Sequence, residues 1–209
     1  MPANLSPKTI FLYYKKIIFE ARFWFLSLGI IFLLGLFVGI IVSVTIPSLS
    51  TKILKSYSSS VNFNAEEGLS LSLFIFKKNL GIVTLGSFLG FFFGALPALV
   101  ANLNGFLLGI VLGFGEIYSK VNPWQLFLLL FPHGIFEYAG TFLGLTFGFR
   151  WGLGWVVRKA NVSRKAVFVN DLKELLAIFP LVVLLLGIAA LIEGNLTGKI
   201  ACILASACR

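Results

Sequence analysis

The stretch WFLSLGIIFLLGLFVGIIVSVTI, residues 24–46, contains no charged side chain. Coiled as an α-helix it is about 34 Å long, enough to cross a hydrocarbon core of about 30 Å. Pro47 stops it. The rest of the chain is equally unsuited to water: 58% of its 209 residues are hydrophobic, 12% are charged, and the mean hydropathy is +0.98. One soluble core cannot hide that much apolar surface, so the chain reads as a polytopic membrane protein. Its formal charge of +9 lies beside the apolar runs, where it meets anionic headgroups and sets orientation. No nucleic-acid motif accompanies it.

Before this stretch, residues 1–22 form a basic arm, amphipathic from Ile10 to Ile18, with Tyr13, Tyr14, Lys15 and Lys16 suited to a headgroup layer. The first transmembrane helix, 23–46, is too long for a signal-peptide core and has no clear cleavage site, so it stays in place. After it, 47–79 reads as an external loop ending in an interfacial helix over 69–76, just ahead of Lys77-Lys78-Asn79. A four-helix core follows over 80–197. Its second span covers 80–101, and Asn102-Leu103-Asn104-Gly105 reads as a tight polar turn. The third apolar run, from residue 106, meets Glu116 after about 15 Å, which is short for a crossing. The fourth span covers 123–149. Residues 150–173 read as a cytoplasmic loop, because Arg150, Arg158, Lys159, Arg164, Lys165 and Lys173 face a single acid, Asp171. Asn170 or Asp171 would cap the fifth helix, which carries Pro180 as a kink; residues 198–209 form an external tail with Cys202 and Cys208, able to pair only in an oxidising compartment. The expected fold is all-α, with about five transmembrane helices and an interfacial helix before the second span. It lies in the cell membrane with the N-terminus cytoplasmic and the C-terminus outside. Ten of the seventeen basic side chains then face the cytoplasm.

Glycine recurs every fourth residue at Gly86, Gly90 and Gly94, at Gly105, Gly109 and Gly113, and at Gly140, Gly144, Gly148 and Gly152. Such series make flat grooves where another backbone approaches closely. Trp24, Trp124, Trp151 and Trp155 fall at span ends and read as interfacial anchors; Asn195-Leu196-Thr197 reads as a chance glycosylation sequon.

The one histidine lies within Phe131-Pro132-His133-Gly134-Ile135-Phe136-Glu137. Between residues 123 and 149 only His133 and Glu137 can carry a charge near neutral pH, and an ionisable group at that depth is costly unless paired. Four helical residues advance about 6 Å and overshoot a full turn by about 40°, so the two side chains share a face. Pro132 and Gly134 both weaken a helix, which predicts a kink or break at the histidine. The polar membrane centre is therefore assigned to His133, Glu137, Glu116, Asn102 and Asn104. His133, Glu137 and Glu116 are weak metal candidates, with Glu193 an alternative third ligand.

Phe76-Lys77-Lys78-Asn79 entering a glycine-spaced helix, Asn102 with Asn104-Gly105, the Pro132-to-Glu137 run and Ile192-Glu193 together resemble the stage II sporulation protein M family. The resemblance implies a five-span membrane protein; the family's namesake anchors a peptidoglycan-degrading complex during engulfment. It also marks Asn79, Asn102, Asn104, Pro132, His133, Gly134, Glu137 and Glu193 as family-motif positions, without an established chemistry for any. The favoured function is an integral membrane scaffold that recruits or anchors partners around a buried His-Glu centre. The alternatives are an ion, proton or small-solute conduit lined by the same residues, and an intramembrane metal-dependent hydrolase. The balance is against an enzyme, since no nucleophile elbow is present and one histidine is few for zinc chemistry. No cofactor is firmly implied beyond a candidate divalent metal. The expected partners are the lipid bilayer, other membrane proteins and a second copy in a homodimer, with no nucleic acid.

Overall fold

The computed structural model describes residues 6–60, 68–117, 123–157, 161–197 and 199–200. Its helices are α1 (Pro7–Glu20), α2 (Arg22–Thr45), α3 (Pro47–Ser60), α4 (Leu69–Phe88), α5 (Ala95–Ile117), α6 (Pro123–Leu153) and α7 (Arg164–Ile192). A 3₁₀ turn, Leu89–Phe91, ends α4, and a π-helical turn, Glu193–Thr197, ends α7. Five helices are long and apolar enough to cross a membrane: Arg22–Thr45, Leu69–Phe91, Ala95–Phe114, Phe127–Leu153 and Arg164–Thr197. The chain is an all-α polytopic membrane protein.

Three boundaries differ from the sequence expectation. Residues 69–76 do not form a separate interfacial helix but run through Lys77-Lys78-Asn79 into α4. The turn to the next span lies at residues 92–94, not at Asn102-Leu103-Asn104-Gly105, which sits inside α5. The third span therefore has full length. Finally, α7 begins at Arg164: the Ser163 hydroxyl accepts from the Ala166 amide at 3.1 Å, so the cap lies seven or eight residues ahead of Asn170 and Asp171. Residues 47–60, expected to be loop, coil as α3. Cys202 and Cys208 lie outside the described residues.

Two glycine seams hold the bundle. On α2, Gly35 and Gly39 face Asn102 and Phe106 of α5; on α5, Gly105, Gly109 and Gly113 face Phe32, Leu36 and Ser43 of α2. Residue numbers rise together along both helices, so they run parallel. Similarly, Gly90 of the 3₁₀ turn lies against Gly148 of α6, and Gly148 lies against Ser87 of α4, another parallel pair. A methyl group at these positions would strike backbone carbonyls, or at Gly113 the Ser43 hydroxyl, so only glycine admits this closeness. These faces are filled within the chain and give no support to a dimer formed through them. α6 is central: Leu143, Phe147 and Trp151 pack with α1, α4 and α7, while Leu145 and Phe149 pack with α2 and α5. Trp151 is 8% exposed and packs on Phe168, so it is a core residue, not an interfacial anchor. Trp124 is exposed.

The 92–94 turn places Phe93 at φ 54° and Gly94 at φ 66°. Left-handed backbone costs an L-residue about 1–2 kcal/mol, whereas glycine adopts it freely. Phe93→Gly is expected to raise the midpoint of thermal unfolding in detergent. A fall would mean that the Phe93–Trp155 ring contact at 5.7 Å outweighs the strain.

Candidate functional site

His133 and Glu137 lie one turn apart on α6, which stays helical through Pro132; the expected break is not there. Pro132 removes one amide donor, yet the helix continues on both sides of it. Gly134 is not forced by space, because a methyl there would meet only the Tyr138 ring, at 3.8 Å. The π turn at the end of α7 comes to this face of α6. It brings Glu193 beside the pair, and donor atoms of His133, Glu137 and Glu193 all lie within 4.8 Å of one another. The imidazole is 8% exposed and the two carboxylates are half-buried. Thr197 Oγ1 lies 3.4 Å from His133 Nδ1, a long hydrogen bond whose donor depends on the imidazole tautomer. Lys78 of α4, with its Nζ buried, interacts electrostatically with both Glu137 and Glu193.

The π turn is fastened to the start of α4. The Gly68 amide donates to the Gly194 carbonyl at 3.1 Å, and Asn195 Nδ2 donates to Ser72 Oγ at 3.1 Å and to the Leu191 carbonyl at 2.9 Å. Ser72 Oγ donates to the Gly68 carbonyl at 2.9 Å. Gly194 is needed here, since a methyl would run into Ser72 Oγ. Three elements, α4, α6 and the end of α7, thus converge on one polar cluster.

Asn102 and Asn104, expected at this centre, make their hydrogen bonds elsewhere. Asn102 donates from Nδ2 to the Ile31 carbonyl at 3.0 Å and bridges α5 to α2; Asn104 donates to Val100 of its own helix at 2.8 Å. Asn79 is half-buried on α4, next to Lys78. The Glu116 side chain lies outside the described part of the chain. Glu193, expected as an alternative third ligand, lies beside the pair, and Lys78 and Thr197, which were not expected, join it. The sequence signal that could find Lys78 is a lysine pair between two apolar runs that join as one helix.

A second buried cluster lies at the opposite end of the bundle, near the N-terminal arm. Arg150 of α6 pairs with Asp171 at 2.9 Å and with Glu174 at 2.7 Å, both on α7. Asn170 Nδ2 donates to Glu174 Oε1 at 2.8 Å. Beside it Tyr14 of α1 donates to the Ala177 carbonyl at 3.0 Å, docking the arm on α7. Burial first, then the Glu174 charge and Tyr14, push the Tyr13 phenol above its ordinary range.

A bundle of five apolar spans with charged clusters locked between helices defines an integral membrane protein of the multi-pass kind. The chain belongs to the stage II sporulation protein M family, whose sequence pattern matches residues 28–198. Two uncharacterized proteins of Methanocaldococcus jannaschii are similar to it. One is 29% identical over 175 residues, covering 82% of this chain and 92% of the relative. The other is 30% identical over 143 residues, covering 68% of this chain and 62% of the relative. No solved structure matches the chain.

Proposed function

We propose that this protein is a scaffold of the cell membrane, a rigid body that anchors other membrane proteins, with its arm in the cytoplasm and its C-terminus outside. The observation that carries this is the fastening of the bundle at both ends by polar groups on different helices: Arg150 with Asp171 and Glu174 at one end and, where His133, Glu137 and Glu193 gather, the π turn hydrogen-bonded to the start of α4 at the other. The first ties α6 to α7, the second ties α7 to α4, and the glycine seams add backbone contact between α2 and α5 and between α4 and α6. A body so cross-braced suits holding partners in fixed positions better than alternating between conformations. The orientation is supported by the basic residues of the arm and by Arg164 and Lys165 at the start of α7, beside the end of α6 that carries Arg150.

Photocrosslinking in native membranes tests the scaffold directly. Probes at exposed Val156 and Val157 are expected to give discrete, reproducible adducts with other membrane proteins; adducts with lipid alone would sink the idea. Purified protein in liposomes is expected to pass neither protons nor ions, and a flux abolished by Glu137→Gln would favour the conduit. For orientation, a phosphatase fused within residues 61–67 should be active and a fluorescent protein inserted at 158–160 should fold; the opposite pattern reverses the topology.

A further inference from the structure

We propose that His133, Glu137 and Glu193 bind one divalent transition-metal ion, zinc or its close relatives, between α6 and the π turn of α7. This goes beyond the scaffold reading and does not depend on it. One imidazole nitrogen and two carboxylates form a borderline N/O donor set of the kind zinc accepts, and the imidazole disfavours magnesium and calcium. Their donor atoms lie within 4.8 Å of one another, whereas ligands about 2.0–2.2 Å from a tetrahedral zinc stand about 3.3 Å apart. The difference is about 1.5 Å at most, within reach of glutamate side-chain torsions and without moving the helices.

Charge points the same way. Two carboxylates face one ammonium, that of Lys78, and an apolar bundle makes it costly to keep both ionised without a further cation. A divalent cation offsets that cost. The histidine is prepared for this role: it is 8% exposed, and its Nδ1 lies by the Thr197 hydroxyl. A proton on Nδ1 donated to Thr197 leaves the Nε2 lone pair as the ligand and fixes the ring, as outer partners do at zinc sites. Glu193 and Thr197 open and close a π turn, an irregularity frequent at functional sites, and the hydrogen bonds of Gly194 and Asn195 hold that turn to α4. Three protein ligands leave a fourth position for water or an exogenous ligand.

The test uses full-length, tag-free protein in detergent, stripped with chelator and then titrated with Co²⁺ as a spectroscopic probe and with Zn²⁺ for elemental analysis. The expected result is one ion per chain, with the visible absorption of four-coordinate cobalt. Thr197→Ala is expected to weaken binding about 10-fold, in the range for an outer partner. Glu137→Gln, Glu193→Gln and His133→Ala should weaken it further, and Glu20→Gln, on the exposed arm, should leave it unchanged. If His133→Ala fails to fold, the two glutamine variants, which keep shape and lose charge, decide the matter. Absence of stoichiometric binding, or binding that survives both glutamine substitutions, would overturn the proposal.

Discussion

Replacing Gly109 by alanine is expected to lower stability by about 3 kcal/mol, the upper end of what overpacking costs, even though alanine is the better helix former by about 1 kcal/mol. The reason is local. The added methyl lands on the Leu36 carbonyl of α2, and a backbone oxygen in an intact helix cannot turn aside as a side chain can. Relief comes only by moving α2 away from α5. That would loosen the whole seam, including the contacts of Gly35, Gly39 and Gly105 and the Asn102 bridge to Ile31. Gly29→Ala provides the control, because a methyl there meets nothing within 4 Å. It should be neutral or slightly stabilising. Thermal unfolding in detergent, followed by tryptophan emission, measures both variants. Equal midpoints for the two would mean that the seam carries no packing energy.

The seam also shows why part of the fold could be read from the sequence and part could not. Hydropathy alone sets the number of spans, because 23 uncharged residues can cross only as a helix. The ends of spans two and three were hidden by chemistry that looks alike in two settings. Asn102, Asn104 and Gly105 have turn composition, yet in α5 Asn102 satisfies a carbonyl of a neighbouring helix, Asn104 one of its own, and Gly105 admits α2. The true turn, Phe92-Phe93-Gly94, offers no polar signal. Gly35 and Gly39 share the four-residue spacing of the other series and complete the α2–α5 seam, but a leucine-rich first span draws attention to its length instead. At the candidate site, the i,i+4 spacing places His133 and Glu137 on one face, while Glu193 and Thr197 arrive only through a tertiary contact 60 residues away in the chain. No local pattern predicts that.

Arg150→Ala is expected to cost about 3–5 kcal/mol, the loss seen when one partner of a buried ion pair is removed. The arginine side chain is 14% exposed and its acidic partners are 3% and 10% exposed, so deleting the guanidinium leaves Asp171 and Glu174 facing each other with little water. The remedy identifies the cause. Adding Asp171→Asn and Glu174→Gln to an Arg150→Met background removes the charges together and is expected to recover most of the loss, since apolar or neutral replacements of a whole buried network are often tolerated. Because Tyr14 docks on Ala177 and Tyr13 is within the field of Glu174, the single variant should also release α1, and limited proteolysis near Lys15 and Lys16 should quicken with it. If the charge-neutral triple variant is as unstable as Arg150→Ala, the arginine stabilises through the packing of its stem against its neighbours. The arm would then depend on shape, not charge, for its place on the bundle.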